Sequence, residues 1–283
     1  MTTRKRILVT GAAGYIGVHV VRALLARGAD VLATHLPGQA LPEPAAGVTW
    51  LEIDIFAPGA AAQVSDVDAC VHLAWRAGFV HNDPVHVLNL SDHFRFLDEL
   101  AAAGVGQIAV LGSMHEIGYH EGPIDETTAA RPSSLYGVAK NALRQALELR
   151  FDASPTVFQW LRCFYVYGDD ERGQSIFAKI ARAAREGATT FPFTTGANRY
   201  DFLEVDELGD QIAAVVVQTT VTGVINCCSG TPVSLADQVE SFIAERGFSI
   251  ALEYGAFPDR PYDSPGVWGD ATRIRQIMAA ERS

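Results

Sequence analysis

The most constraining feature of the chain is the glycine-rich stretch TGAAGYIG at residues 10–17. It follows the apolar run 7–9, which has the length of a buried strand, and precedes apolar residues at helical spacing. On such a strand-to-helix turn, Gly11 permits the tight turn, Gly14 lets the backbone approach a pyrophosphate, and Gly17 lets helix and strand pack closely. The N-terminus of the following helix offers N–H groups to phosphates. The sequence therefore predicts a dinucleotide-binding site near its start.

Strand-like and helix-like segments alternate through the first two-thirds of the chain, which predicts a parallel sheet covered by helices. The expected strands lie at 7–9, 30–34, 48–53, 68–74, 107–112, 156–161 and, later, 224–226; the expected helices lie at 16–27, 90–101, from 133, at 175–185 and after 234. The predicted fold class is α/β: a Rossmann-type doubly wound parallel sheet with a small C-terminal substrate-binding lobe. We expect residues 1–168 to form the dinucleotide-binding core, with segments near 201–228 returning to it, and residues 169–283 to form mainly the lobe.

Composition limits the partners and the compartment. The formal net charge of -11 over 283 residues argues against a nucleic-acid partner, because no basic face is available for phosphates. The four cysteines show no C-x-x-C spacing, so we interpret them as reduced packing residues of a cytosolic protein. No apolar segment has the length of a membrane span, and no signal-peptide core follows the basic first residues. These features predict a soluble, cytoplasmic protein with no membrane partner.

A tyrosine and a lysine four residues apart predict the chemistry. Tyr136 and Lys140 share a helix face at this spacing, and a nearby ammonium is expected to lower the pKa of the phenol. A phenol tuned in this way can give or take the proton of a carbonyl/alcohol couple while a hydride moves at the carbon. Ser113, at the end of a predicted strand, is placed to hydrogen-bond the same oxygen.

These motifs, in this order, resemble the extended branch of the short-chain dehydrogenases/reductases, which includes nucleotide-sugar epimerases, dehydratases and reductases. The resemblance covers nearly the whole chain, and it implies that Ser113, Tyr136 and Lys140 are catalytic. It also implies NAD or NADP as cofactor and a homodimer formed through the helices that bear Asn89 and Tyr136. The implied cofactor-binding residues are Gly11, Gly14, Tyr15, Ile16, Gly17, His35, Asp54, Ile55, Leu73, Ala74, Asn89, Tyr136 and Lys140.

The chain departs from this family at positions that bear on specificity. Where NAD-specific relatives carry an acidic residue after the second strand, to hold the ribose 2′-hydroxyl, this chain has His35. The choice between NAD and NADP therefore stays open. Tyr165 stands where the family often has asparagine, and the arginine expected immediately before Asp201 is replaced by tyrosine, so Arg199 or Arg260 would have to reach a diphosphate.

Further residues are expected to face the substrate because they follow predicted strands or flank the catalytic serine. The expected substrate-binding set is Trp75, Arg76, Ser113, Met114, His115, Tyr165, Gln174, Ser175, Arg199 and Arg260. His115 and His120 are five residues apart with Gly118 between them, so they would not share a helix face, and we predict no metal site.

The segment 112–118 is most similar to reductases of nucleotide-activated 4-keto-6-deoxyhexoses. We therefore predict an NAD(P)-dependent oxidoreductase that transfers a hydride at a sugar carbon. A nucleotide-sugar 4-epimerase is the first alternative, since it uses the same three residues, and a uronate or other sugar dehydrogenase is the second. A non-catalytic NAD(P) sensor is a further alternative, although such proteins typically lose the tyrosine or the lysine and this chain keeps both. The sugar, the nucleotide and the stereochemistry cannot be assigned from these motifs.

Overall fold

The structure, a computed structural model, describes residues 4–41, 45–168, 175–258 and 263–281. Its strands, in chain order, are β1 (Arg6–Thr10), β2 (Asp30–His35), β3 (Val48–Glu52), β4 (Ala69–His72), β5 (Gln107–Ser113), β6 (Gly122–Ile124), β7 (Val157–Cys163), β8 (Tyr165–Tyr167), β9 (Thr190–Pro192), β10 (Arg199–Glu204), β11 (Gly223–Cys227), β12 (Pro232–Ser234), β13 (Ala251–Glu253) and β14 (Gly266–Gly269).

The helices connect these strands and cover both faces of the main sheet. They are α1 (Gly17–Ala26), α2 (Ala60–Val64), α3 (Val85–Leu88), α4 (Leu90–Ala102), α5 (Leu135–Phe151), α6 (Ile176–Arg185), α7 (Val205–Val216), α8 (Leu235–Glu245) and α9 (Thr272–Glu281), with a 3₁₀ turn at Met114–Glu116. No helix in the part of the chain that the structure describes is both long enough and apolar enough to span a bilayer.

The main sheet has seven strands in the order β11-β7-β5-β4-β1-β2-β3, and each neighbouring pair is parallel. The chain starts in the interior of this sheet and proceeds first to one edge, then to the other, so the strand order reverses between β1 and β4. Ligands bind at such a switch point, beyond the carboxyl ends of the strands. The predicted α/β, Rossmann-type fold is confirmed.

Burial explains why these segments form strands of a central sheet. All seven residues of β5 are buried, as expected for a parallel strand with helices on both faces. Helix α1 packs against α7 on one side of the sheet, and α4 packs against α5 on the other. The apolar side chains divide accordingly into two clusters, one on each face. The four cysteines are buried and unpaired by disulfides.

A second sheet lies beside the carboxyl ends of the first. Its order is β12-β10-β14-β6, with β8 paired to β10. Strands β6 and β8 come from the first 168 residues, yet they belong to this second sheet, whereas β11 comes from beyond residue 168 and is an edge strand of the main sheet. The chain therefore crosses between the two sheets more often than a division at residue 168 would imply.

A buried ionic network joins the two sheets. Glu116, with no exposed surface, accepts hydrogen bonds from Arg162 Nε (2.7 Å) and Trp160 Nε1 (2.9 Å). Arg162 also donates to the backbone oxygen of Asp125 (2.8 Å), just after β6. Asn226 on β11 donates to the backbone oxygen at the end of β6 (2.7 Å). Because a buried charge is costly unless it is paired, these contacts fix how the second sheet sits on the first.

Candidate active site

A cavity of about 1310 Å³ lies beyond the carboxyl ends of β1, β2, β4, β5 and β7. One wall is the glycine turn between β1 and α1, the floor is formed by the ends of the strands, and the far wall is the second sheet. Pockets for one drug-sized ligand occupy about 300–1,000 Å³. This cavity therefore has room for two ligands side by side, such as a dinucleotide and its reaction partner.

The glycine turn leaves no space for side chains where the backbone must pack closely. A Cβ on Gly11, whose φ is +69°, would lie 2.8 Å from the backbone nitrogen of Ala74. A Cβ on Gly17 would lie 2.2 Å from the backbone oxygen of Gly11. Ile16, at the N-cap of α1, provides no side-chain cap for the helix. The close-packed turn and the uncapped helix end fit the diphosphate of a dinucleotide.

Several of the residues predicted to bind the cofactor line the end of the cavity next to the glycine turn. They are Gly14, Tyr15, Ile16, His35, Asp54, Ile55, Leu73 and Ala74. The Nδ1 atom of His35 lies 3.1 Å from the backbone oxygen of Leu36. Since a carbonyl oxygen only accepts hydrogen bonds, Nδ1 carries the proton and the Nε2 atom of neutral His35 is an acceptor. The Asp54 carboxylate lies 3.7 Å from the guanidinium of Arg76.

At the other end, Ser113 and Tyr136 meet beside the strand end of β5. Ser113 is buried, its hydroxyl accepts a hydrogen bond from the backbone N–H of His115 (3.3 Å), and it is hydrogen-bonded to Tyr136. Helix α5 begins after Ser134, whose hydroxyl accepts from the N–H of Gly137 (3.2 Å). This cap starts the helix at the position that turns the phenol toward Ser113.

The loop after β4 holds the start of the same helix. The backbone N–H of Tyr136 donates to the backbone oxygen of His81 (2.8 Å), and that of Leu135 donates to the side chain of Asn82 (3.1 Å). The His81 ring is stacked with the Tyr136 ring at 5.4 Å. His81 was missed by the sequence analysis, because no spacing connects it with a helix 55 residues later.

The expectation that the pKa of Tyr136 is lowered is wrong for this structure, in which the net shift is upward. Burial raises the pKa of the Tyr136 phenol, as do the nearby Cys163 and Glu116, while the hydrogen bond with Ser113 acts in the opposite direction. The ammonium lies 5.8 Å from the centre of the Tyr136 ring. At this position the loss of hydration outweighs the attraction of the neighbouring cation, so the phenol is protonated at neutral pH.

Lys140 is itself buried, and its ammonium has two close partners. Nζ donates to the backbone oxygen of Leu111 (2.7 Å) and lies 3.7 Å from the ring centre of Trp75. Burial lowers the pKa of Lys140 to about 7, an effect that the more distant Cys163 and Glu116 oppose. The lysine is therefore poised to change its charge near neutral pH.

A hydrogen-bonded chain connects the glycine motif to the loop after β4. The Thr10 hydroxyl accepts from the backbone N–H of Ala74 (3.3 Å) and contacts His72 Nδ1 (2.9 Å), and His72 Nε2 contacts His93 Nδ1 (2.8 Å). Burial and then Lys140 lower the pKa of His72 to about 3, and the pKa of His93 is lowered well below its ordinary value, first by burial. Both rings are thus neutral structural links.

Most of the predicted substrate residues line the cavity. Among the described residues these are Trp75, Arg76, Ser113, Met114, His115, Tyr165 and Ser175. Gln174 and Arg260 lie outside the described residues. The pKa of His115 is lowered to about 4 by burial and then by His81, so this ring is neutral near pH 7. No three His, Cys, Asp or Glu side chains within the described ranges are placed to hold a metal ion together.

Two predicted site residues lie away from the cavity wall. Arg199 donates to the backbone oxygen of Pro232 (3.0 Å), whereas its neighbour Tyr200 lines the cavity. Successive residues of a strand point to opposite faces, so the tyrosine at position 200 displaces the arginine from the ligand side. Asn89 is not part of the lining; it is the N-cap residue of α4, and its side-chain nitrogen is buried without a hydrogen-bond partner.

Comparison with known proteins identifies the family of the chain. Residues 7–228 match the model of the "NAD dependent epimerase/dehydratase family". A dTDP-6-deoxy-L-talose 4-dehydrogenase (NAD(+)) of Aggregatibacter actinomycetemcomitans is 42% identical over 267 residues, covering 93% of this chain and 98% of that protein. A dTDP-6-deoxy-L-talose 4-dehydrogenase (NAD(P)(+)) of Kitasatospora kifunensis is 26% identical over 91% of this chain and 84% of its own length.

Solved structures share the whole architecture. The UDP-N-acetylglucosamine 4-epimerase of Methanobrevibacter ruminantium M1, solved in complex with UDP-N-acetylmuramic acid, superposes with a TM-score of 0.84. The match covers 97% of this chain and 92% of that chain at 21% identity. At this level of identity the likeness bears on the fold alone.

Proposed function

Since the chain belongs to the NAD dependent epimerase/dehydratase family, we propose that it is a reductase of nucleotide-activated 4-keto-6-deoxyhexoses. The reaction is the reversible exchange of a 4-keto group and a secondary alcohol. The enzyme is NAD(P)-dependent, as are the relatives named above. When bound, a reduced nicotinamide supplies the hydride for the carbonyl carbon.

The observation that carries the proposal is the meeting of Ser113 and Tyr136 in the same cavity as the glycine turn. We assign Tyr136 Oη as the acid that donates a proton to the carbonyl oxygen as the carbon is reduced. The Ser113 hydroxyl hydrogen-bonds that oxygen and orients it. Because burial raises the pKa of Tyr136, the phenol holds its proton at neutral pH, which is the state that reduction requires.

The remaining predicted residues have binding roles in this proposal. The glycine turn with Gly11, Gly14 and Gly17 holds the diphosphate of the cofactor, and the lining residues near His35 and Asp54 hold its adenosine. Lys140 lies below the phenol, where its charge stabilises the negative charge that Tyr136 gains when it loses its proton.

The substrate class rests on the most extensive likeness found in sequence. The 42% identical protein acts, by its name, on a dTDP-6-deoxyhexose at carbon 4, and the likeness extends across both sheets. The cavity volume of about 1310 Å³ suits a nucleotide sugar beside a dinucleotide. We assign the second sheet, with Tyr165 and Tyr200 on the cavity wall, as the side that holds the nucleotide sugar.

A 4-epimerase is the second candidate, because the family contains epimerases and the same acid/base group serves both reactions. An epimerase would remove and return the hydride within one cycle, so the reduced cofactor would not be consumed. The two activities therefore differ in their stoichiometry.

The proposal of a homodimer rests on exposed apolar residues beside the predicted interface. Leu88 at the end of α3 is 72% exposed, and Val138 and Leu149 on α5 are 43% and 82% exposed. Val138 and Leu149 are about three helical turns apart, so they lie on one face of α5. Helix α3 packs against α5. We propose that a second copy of the chain covers this surface.

The test is to mix the protein with NADH or NADPH and a set of 4-keto-6-deoxy nucleotide sugars and to follow the absorbance of the reduced nicotinamide. A reductase consumes one cofactor per sugar. In Tyr136→Phe, kcat is expected to fall by about 10²–10⁴-fold, while the dissociation constant for the cofactor stays within about twofold, since the loss is confined to one hydroxyl.

The matched control is Tyr254→Phe, which removes an exposed hydroxyl that donates to the Glu240 carboxylate. This variant is expected to keep wild-type kcat. Full activity in Tyr136→Phe would exclude the assigned acid. Interconversion of two nucleotide sugars without net loss of reduced cofactor would favour the epimerase.

A further inference from the structure

We propose that Trp75 is a positioning residue for Lys140: its indole face holds the ammonium in place below Tyr136. The inference rests on the proposed function, in which the charge of Lys140 assists the phenol. Sequence analysis placed Trp75 among the substrate-binding residues. The contacts of its ring indicate a role beyond lining the cavity.

The first observation is the environment of the ammonium. Lys140 is 3% exposed, and Nζ lies 3.7 Å from the centre of the Trp75 ring. Its hydrogen-bond partner is the neutral backbone oxygen of Leu111 (2.7 Å). No carboxylate of the described residues forms an ion pair with Nζ within 4.0 Å. The Leu111 carbonyl and the negative face of the indole are therefore the two close groups that favour the charge on this lysine.

The second observation is that the indole is fixed. Its Nε1–H donates to His86 Nδ1 (3.0 Å), and His86 Nε2 contacts the backbone oxygen of Val80 (2.9 Å). A carbonyl accepts only, so His86 carries its proton on Nε2 and its Nδ1 is free to accept from Trp75. The His93 ring is stacked against the indole at 4.3 Å and 14°. His86 and His93 thus fix the orientation of the indole ring that the Lys140 ammonium contacts.

The third observation is that Trp75 contacts both catalytic side chains. Its ring centre lies 6.0 Å from that of Tyr136, in an edge-to-face arrangement. A displacement of the indole would therefore move the ammonium relative to the phenol. Such a residue acts through Lys140 and does not need to contact the sugar.

The effect on Lys140 has a definite sign. Burial lowers its pKa to about 7, and an aromatic face opposes this because it favours the ammonium. Replacing Trp75 by an aliphatic residue removes that support, so the pKa of Lys140 should fall further. The other titratable groups around Lys140, on every element packed against it, are His72, His93, Glu116, Tyr136 and Cys163.

The first experiment observes the contact directly and needs no substrate. The fluorescence emission of Trp75 is obtained by subtracting the spectrum of Trp75→Phe from that of the wild type. This difference is followed from pH 5 to pH 10. The expected result is a transition near pH 7 that is absent when the same difference is taken in a Lys140→Met background. A Trp75 emission that is identical in the two backgrounds would overturn the proposal. The Lys140→Met pair also controls for titration of the neighbouring histidines.

The second experiment compares Trp75→Leu with Trp75→Phe, which both lose the N–H but differ in the aromatic face. We expect Trp75→Leu to lower kcat by about tenfold, and Trp75→Phe to retain most of it. The high-pH limb of kcat/KM, where charged Lys140 is lost, should move to lower pH in Trp75→Leu by about half a unit or more, while the cofactor dissociation constant changes little. The proposal would be overturned if the two variants had equal kcat values and if the high-pH limb of kcat/KM stayed at its wild-type position in both.

The two experiments separate this inference from the proposed function. If no keto sugar is turned over by the wild type but the emission titrates as expected, the proposed function fails and the Trp75–Lys140 contact is supported. If turnover is normal and neither the emission nor the pH limb depends on Trp75, the positioning role fails alone.

Discussion

At Tyr136, burial has more influence than the lysine four residues away. The spacing of Tyr136 and Lys140 correctly places both on one face of α5, but it does not determine where the ammonium points. Lys140 turns to the Leu111 carbonyl and the Trp75 ring, which come from distant parts of the sequence. The direction of the tyrosine pKa could therefore not be derived from local spacing, because it depends on tertiary partners and on lost hydration.

We propose, also at the residue scale, that His35 sets the cofactor preference. Its Nδ1–H is used by the Leu36 carbonyl, so neutral His35 presents an acceptor that suits the 2′-hydroxyl of NAD. A 2′-phosphate needs donors, and the Asp54 carboxylate at the same end of the cavity repels it. We expect the wild type to bind NADH more tightly than NADPH, by about tenfold or more. His35→Arg should reverse or abolish this preference, as measured by the dissociation constants of both cofactors.

His35→Gln is the control, since it keeps a neutral side chain with an acceptor and should retain the NADH preference. Tighter binding of NADPH than of NADH by the wild type would contradict this account of the His35 tautomer.

At the scale of elements, the long buried strands were predictable and the short ones were not. β1, β2, β3, β4, β5, β7 and β11 lie where apolar runs predicted strands, with ends shifted by one or two residues. Strands such as β6 and β14 have only three or four residues, and they pair across 145 positions, Gly122 with Val267. Such short strands depend on pairing with strands that are distant in the sequence, so the local sequence holds little signal for them. Helices α2, α7 and α9 were also not predicted.

The strand-to-helix turn offers a test at this scale. In Gly17→Ala, the new Cβ would lie 2.2 Å from the backbone oxygen of Gly11 and 2.6 Å from that of Ala12. Because backbone atoms cannot yield as a side chain can, α1 must shift away from the turn, at a cost of about 1–3 kcal/mol. We expect dinucleotide affinity to fall by about tenfold or more, as measured by calorimetry.

Gly106→Ala is the matched substitution, because the nearest atom to its Cβ would be the Asp68 backbone oxygen at 3.6 Å, an ordinary contact. It should leave cofactor affinity unchanged and the free energy of unfolding within about 0.5 kcal/mol of wild type. If both variants bound the cofactor as the wild type does, the turn would not be the phosphate site.

For the whole molecule, the motifs predicted which residues meet in the cavity but not what joins the two sheets. The sequence analysis weighed segment 115–120 as a metal site and assigned His115 to the substrate, but it gave Glu116 no role of its own. In the structure Glu116 is instead the buried centre of the network with Trp160 and Arg162. A lone glutamate in a motif does not reveal its partners, because both lie on β7, 44 and 46 residues away. The signal that could have identified it is Arg162, directly after the predicted strand 156–161, because an arginine buried there requires a carboxylate nearby.

The proposed homodimer is tested at this scale. Leu149→Lys places a charge on the most exposed large apolar residue of α5, which is 82% exposed in one chain. If a second copy covers this surface, the cost of desolvating the lysine opposes association. The dissociation constant of the dimer should then rise at least tenfold. Light scattering coupled to size exclusion measures the mass of each species. Val217→Lys, at a 37% exposed position at the end of α7, should not change the mass, whereas a monomeric wild type would exclude the dimer.

The interleaving of the two sheets has a consequence for the order of events during synthesis. β14 is inserted between β10 and β6, so the second sheet lacks an interior strand until Gly266–Gly269 has left the ribosome. By then every strand of the main sheet has already emerged. A nascent chain would accordingly be able to complete its main sheet before its second sheet, because the interior strand β14 follows all seven strands of the main sheet in the sequence.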